Sequence, residues 1–237
     1  MDTVTRRAEA EDQIRFDLSS VPLREVNSAL HAPDLNGGFI IENPAGAHNV
    51  AVGVDAEVTL TVLGHVGYYA AGMNQRAEIT IEGNAGTGVA ENMMSGTVWV
   101  KGNASQSAGA TAHGGLLVID GNAAARCGIS MKGVDIVVGG NVGHMSAFMA
   151  QAGNLVVRGD AGDALGDSIY EARLYVRGSV ASLGADCVAK EMRDEHHAEL
   201  GSLLKAAGYG DDDTNAYTRY GSARTLYHFH ADNSSSY

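Results

Sequence analysis

The sequence predicts an all-β chain, folded as a single-stranded parallel β-helix of about seven 19-residue coils with a capping segment at each end. Three observations carry this expectation. Glycines recur every 19 positions, at Gly64, Gly83, Gly102, Gly121, Gly140, Gly159 and Gly178, without insertion or deletion. Apolar residues flank each glycine at fixed, alternating offsets. The composition, with 31 Gly against 3 Pro in 237 residues and 45% hydrophobic residues, suits many regular turns around a sizeable core. Collagen's three-residue glycine period and high proline content are absent.

The flanks define the strand. Two residues before each glycine stand Val62, Ile81, Val100, Ile119, Val138, Val157 and Val176. Four before stand Leu60, Ile79, Val98, Leu117, Ile136, Leu155 and Leu174; two after stand Val66, Ala85, Ala104, Ala123, Val142, Ala161 and Val180. A spacing of two puts these side chains on one face of a strand, and most are β-branched. One short strand cannot bury that face alone, whereas stacked copies can. At roughly 4.8 Å per coil, seven coils make a rod on the order of 35 Å long. A second apolar ladder, Met93, Ala112, Met131, Ala150 and Ile169, predicts another wall of the coil. The row Ala71, Ala90, Gly109, Gly128, Ala147, Gly166 and Ala185 predicts a tight corner. After the reference glycine, Asn84, Asn103, Asn122 and Asn141 predict an amide ladder along the rod, or a left-handed turn residue; the row ends in His65, Asp160 and Ser179. No proline falls in the regular repeats, as ladder pairing requires.

Open strand edges at the two ends call for caps. Three regions are expected: an N-terminal cap over residues 1–36, the β-helix over 37–187, and a C-terminal helix with a docking tail over 188–237. In the first, Phe16-Asp17-Leu18 reads as a short strand, and Ser20-Val21-Pro22 as a helix start with Leu23, Val26 and Leu30 on one face. Residues 37–50 read as an imperfect first coil, with Pro44 and Ala45 where the glycine belongs. Residues 188–207 read as a helix with Met192, Leu200, Leu203, Leu204 and Ala207 on its apolar side and Gly208 as its stop. Tyr217, Tyr220, Tyr227 and Phe229, set among Arg219, Arg224, His228 and His230, read as a docking segment that needs a partner's cover.

A formal net charge of −12 with only 16 Lys and Arg argues against nucleic acid and anionic membrane surfaces as partners. The first ten residues lack the apolar stretch of a signal peptide, and no run approaches a membrane span. Cys127 and Cys187 are too few for a disulfide framework. A cytoplasmic location is expected.

No catalytic, cofactor-binding or metal-binding residue is expected in this chain. Gly83-Asn84-Ala85-Gly86-Thr87-Gly88 has the look of a phosphate loop, but another strand repeat follows it where a dinucleotide site needs a helix. Asp160, Asp163 and Asp167 lack the nine-residue calcium signature and read as solvated turn acids. His196 and His197 are adjacent on a helix and point apart; His228 and His230 lack a third ligand. Cys127, level with Ala108 and Val89, reads as a small core residue.

The repeats Gly83–Gly88, Met94-Ser95-Gly96-Thr97-Val98 and Gly159-Asp160-Ala161-Gly162 resemble the GXGXG-motif domain of the glutamate synthase large subunit. The β-helix subunit of formylmethanofuran dehydrogenase is similar. The resemblance covers about residues 37 to 187 and implies a right-handed β-helix. The lead-in Phe16-Asp17-Leu18 and Pro22-Leu23-Arg24-Glu25-Val26-Asn27, with the tail, looks like the separate β-helix subunit of N-methylglutamate synthase. That resemblance implies a non-catalytic assembly subunit of a higher-order hetero-oligomer. It would bridge a glutaminase-like amidotransferase subunit and an FMN-binding, glutamate-synthase-like subunit, with FMN held by the latter. The family's catalytic and cofactor residues have no matching positions here, since Met1-Asp2 stands where the amidotransferase has its cysteine.

Overall fold

A computed structural model describes residues 13–226. Its strands form one sheet. β1 (Ile14–Asp17), β2 (Gly38–Glu42), β3 (Thr59–Leu63), β4 (Glu78–Ile81), β5 (Thr97–Val100), β6 (Leu116–Ile119), β7 (Lys132–Val138), β8 (Ala152–Val157) and β9 (Arg173–Val176) follow one another in parallel. From β3 to β9, Leu60, Ile79, Val98, Leu117, Ile136, Leu155 and Leu174 stand opposite one another in turn, and the register shifts at the start of β7, between Lys132 and Asp135. All seven are at most 1% exposed, and so is the Val62-to-Val176 row two residues on. The chain is therefore a parallel β-solenoid whose core is built from identical positions of successive coils. Isolated parallel bridges link Val66, Ala85, Ala104, Ala123, Val142, Ala161 and Val180, which continues the same face past the glycine.

The glycine row exists for proximity. Gly102 carries no positive φ, yet a Cβ there would sit 2.3 Å from the Asn84 side-chain oxygen and 2.8 Å from the Gly83 carbonyl. The asparagines act differently from the amide ladder expected. Oδ1 of each accepts from the backbone N–H of the equivalent residue one coil on: Asn84 from Asn103, Asn103 from Asn122 and Asn122 from Asn141, each at 2.8 Å. Only one side-chain amide contact accompanies them, at 3.4 Å from Asn103 to Asn84. Any acceptor of the right reach serves, which explains the ends of the row. His65 Nδ1 accepts from Asn84 N at 2.9 Å, and Asp160 Oδ1 from Ser179 N at 2.7 Å.

The left-handed residues lie in the turns instead. Ala71, Ala90, Gly109, Gly128, Ala147 and Gly166 all have φ between 54 and 68°. The rows two positions to either side share this, among them Tyr69, Ser107 and Arg126 before and Met73, Asn92 and Thr111 after. A non-glycine residue so placed costs on the order of 1–3 kcal/mol. The offset comes from coil-to-coil bonds at the same residues, such as Ala90 N to Ala70 O at 2.9 Å and Ala147 N to Cys127 O at 2.7 Å. The last coil is one residue short: Leu165 bridges to Leu183, so Ala185 leaves the small-residue row and stands exposed.

α1 (Leu23–Ala29) covers the N-terminal end, burying Val26, with Leu30 just beyond it. Asn27 fastens it to the first coil, donating to Asn49 O at 2.8 Å and accepting from Ala51 N at 3.1 Å.

The C-terminal region departs from expectation in three ways. Residues 187–190 form a strand, β10 (Cys187–Lys190), and the helix α2 begins only at Asp194 and runs to Ala206. α2 lies along the side of the rod, not across its end. Leu200, Leu204 and Ala207 pack with Tyr217 on Val118, Val137, Val156 and Tyr175, flanked by Trp99. These sheet residues are the outward row, again 19 apart, which is Thr61 and Thr80 in the earlier coils and turns apolar from Trp99 on. Third, the tail folds back. β11 (Thr218–Ser222) inserts antiparallel between β9 and β10 and so covers the edge of β9. The docking reading of residues 217–230 is therefore corrected for the part described: Tyr217 is 4% exposed and Tyr220 packs against the main core. Tyr rings have core positions to occupy here because the outer row is apolar. Tyr227, His228, Phe229 and His230 lie outside the described residues.

Asp212 locks this return. Its carboxylate accepts from Arg158 Nε at 2.7 Å and Nη2 at 2.9 Å, from Arg177 Nη1 at 3.3 Å and from Tyr217 OH at 2.8 Å. The Arg158 hydrogen bonds, with those of Tyr217, hold its acidity below the usual carboxylate range. A carboxyl whose pKa is lowered by folding stabilises fully above its unfolded pKa, and that stabilisation is lost as the pH falls through the folded value. Asp212→Asn should therefore cost about 1–3 kcal/mol at neutral pH. In thermal melts, the gap between the variant and the parent chain should narrow as the pH is lowered below about 4. A gap independent of pH would refute the ion pair's role.

Candidate functional site

The residues singled out from the sequence are taken up by the scaffold. Gly83 and Gly86 meet the backbone of the coil before them, where a Cβ would come within 2.7 Å of Gly64 and 2.6 Å of Gly67. Gly88 has φ +75° and enters the turn that leads to β5. The loop is thus a packed corner between coils, and a strand follows it.

Asp160 Oδ1 accepts from the backbone and hydroxyl of Ser179 at 2.7 and 2.8 Å. Asp163 accepts from the Ser182 hydroxyl at 3.0 Å, and Asp167 from that of Ser168 at 2.8 Å. These acids hold the last coil. His196 is 5% exposed, with Nδ1 accepting from Arg193 N at 3.1 Å, while Nδ1 of His197 meets the Thr214 hydroxyl at 3.0 Å. Burial keeps the His196 ring below its usual pKa, and so neutral at physiological pH. Among the described residues no three His, Cys, Asp or Glu side chains converge to hold a metal ion.

Cys127 and Cys187 are buried free thiols, and burial pushes both up to about 12. Thiolate is the nucleophilic form, so neither cysteine is poised for attack.

One concentrated charge feature remains, and it lies on the returned C-terminal segment. A groove of about 500 Å³ runs along the outer face of β9, β11 and β10 beside the start of α2. Arg173, Lys190, Arg193, Arg219 and Arg224 line it. Five of the chain's 16 basic residues thus meet in one place on a protein of net charge −12. Three of them are partnered: Arg173 with Glu199 at 2.6 Å, Arg193 with Glu191 at 3.3 Å, and Arg224 with Glu171 at 2.8 Å. Arg219 donates through Nε to Glu191 O at 3.0 Å, and neither it nor Lys190 forms an ion pair with a described carboxylate. Burial lowers the pKa of Arg219, and the charges of Arg173 and Arg193 lower it further. Guanidinium groups stay protonated near neutral pH, so this arrangement presents fixed positive charge to an anion.

The groove was not legible in the sequence because its cations come from three separate segments. The available signal was Arg173, which follows Asp135 and Asn154 at an outward position of the repeat.

The chain is 60% identical over 227 residues to protein GlxC of Rhizobium meliloti (strain 1021), an alignment spanning 94% of this chain and 99% of that protein. No family model matches the chain, and no solved structure does. No described helix is long and apolar enough to cross a membrane.

From the buried thiols follows a direct expectation. A thiol reagent at pH about 8 should leave the folded chain unmodified and label both cysteines once it is unfolded in denaturant. Rapid labelling of the folded chain would contradict their placement.

Proposed function

The chain belongs to the GlxC family, and we propose that it serves as the non-catalytic β-helix subunit of a glutamate-synthase-related enzyme complex. The observation that supports this most is the use of the rod's interior. From Leu60 to Val176, the inward rows of β3 to β9 are buried apolar side chains, so the coils are filled by their own core ladders. The GXGXG resemblance of the repeats points to the same assembly. A solid rod with fixed register is suited to holding other chains at a set spacing.

In this reading a glutaminase-like subunit releases the nitrogen donor and an FMN-binding subunit uses it. The β-helix chain joins the two in a hetero-oligomer of higher order. The finer assignment is N-methylglutamate synthase, with methylamine as the amine. Its support is the lead-in Pro22–Asn27, whose Asn27 fixes the N-terminal cap to the first coil.

Affinity purification from the native host, followed by native mass spectrometry and an absorption spectrum, tests this. A yellow complex that contains a glutaminase-like chain and loses its flavin with the FMN subunit is expected. A chain that purifies without partners and turns over a substrate would overturn the proposal, as would a complex carrying tungsten or molybdenum.

A further inference from the structure

We propose that the groove bounded by β9, β11, β10 and the start of α2 is a binding site for a small dicarboxylate. The inference is independent of which assembly the chain joins.

The first support is a pair of like charges placed face to face. In the antiparallel ladder of β10 and β11, Lys190 is the register partner of Arg219. Side chains directly opposite on neighbouring strands lie about 4.5–5.5 Å apart at Cβ, and like charges there are destabilising. Glu195 offsets part of the positive field at Arg219, while Arg173 and Arg193 add to it. The nearby carboxylates are engaged with other cations, Glu199 with Arg173, Glu191 and Glu195 with Arg193, and Glu171 with Arg224. An anion seated between Lys190 and Arg219 would relieve it.

The second support is the floor. Gly221 stands on β11 two residues after Arg219, and so on the same face of the sheet. A Cβ at this position would meet nothing closer than 3.7 Å, at Lys190 Cγ, with Ala172 O at 3.8 Å. Its backbone carries no positive φ, so the glycine is not demanded by conformation. Its effect is to let the Lys190 stem lie close on the sheet, with Cγ and Cε 3.7 and 3.9 Å from where a Cβ would stand, and Gly221 lines the groove.

The chemistry of the ligand follows from charge and size. Two cations lack an ion-pair partner among the described residues, so the matching charge is two. The volume, about 500 Å³, is that of a site for an organic molecule. Lys190 and Arg219 stand on different strands, which suits two carboxylates separated by a short carbon chain better than two charges on one phosphorus. Planar guanidinium groups pair with carboxylates in a bidentate way, and the methylenes between the carboxylates would cross Gly221 and Ala172.

The test is isothermal titration of the purified chain with succinate and glutarate, with acetate and inorganic phosphate as comparison anions. Lys190→Met, Gly221→Val and the remote Lys101→Met are carried alongside. Saturable dicarboxylate binding is expected, at least tenfold weaker for acetate and phosphate, at least tenfold weaker in Lys190→Met and Gly221→Val, and unchanged in Lys101→Met. Without ligand, Lys190→Met should melt no earlier than the parent, because it removes a repulsion; this separates lost binding from lost folding. Absence of saturable binding overturns the proposal, and so do equal affinities for the two variants and the parent. Phosphate binding as tightly as succinate overturns the dicarboxylate assignment. Binding that emerges only after deletion of residues 227–237 would make the groove the seat of the chain's own end and would equally overturn it.

Discussion

The structure depends on one constraint: the backbone donors of each coil find their acceptors in the neighbouring coils, at positions that recur every 19 residues. A sheet ladder satisfies this along the strands. At the corner after the strand, glycine backbones bond directly, as from Gly102 N to Gly83 O at 3.0 Å and Gly121 N to Gly102 O at 3.0 Å. Beside them the asparagine oxygens take the next N–H of the following coil. The two rows require each other, because the oxygen of Asn84 fills the space that a Cβ on Gly102 would need. A single insertion within a coil would move every row off its partners, which accounts for seven reference glycines without an indel.

The same constraint shapes the outside. With the interior given to apolar ladders, the outward row can vary, and it changes from Thr61 and Thr80 to Trp99, Val118, Val137, Val156 and Tyr175. That change makes a landing strip for α2 and for Tyr217. Polar ties then complete the attachment. Trp99 Nε1 and Tyr209 OH both donate to Asp120, at 2.8 and 3.0 Å, and Tyr175 OH donates to Glu199 at 2.5 Å. Beneath α2, Asp135 accepts from Asn154 at 2.8 Å, and burial raises its pKa. The cationic groove is a product of this return, since β11 brings Arg219 between strands that already carry Arg173 and Lys190.

How much of this was legible depends on how local each signal is. The interior ladders could be read directly, because period two within a strand and period 19 between strands are both sequence patterns. The outward row was equally periodic, and its switch at Trp99 was the available sign of a covering element. β10 and β11 are too short and too polar to announce themselves; Val188 and Ala189 are exposed and Lys190 is charged, so only pairing makes them strands. The asparagines were recognised as a row, but their bonding mode was not, because backbone acceptance and amide stacking share one spacing. The groove is a tertiary product of residues up to 51 positions apart, Arg173 and Arg224, and no local pattern encodes it.

The central claim is that the asparagine row works through its oxygen acceptor. Urea unfolding of Asn122→Asp and Asn122→Ala tests it most directly, since Asn122 Oδ1 accepts from Asn141 N at 2.8 Å. Asp keeps the acceptor and loses the amide donor, while Ala loses both. At moderate salt, Asn122→Asp should stay within about 0.5 kcal/mol of the parent, and Asn122→Ala should lose about 1 kcal/mol. Equal losses for the two variants would show that amide donors hold the coils together and would contradict the account.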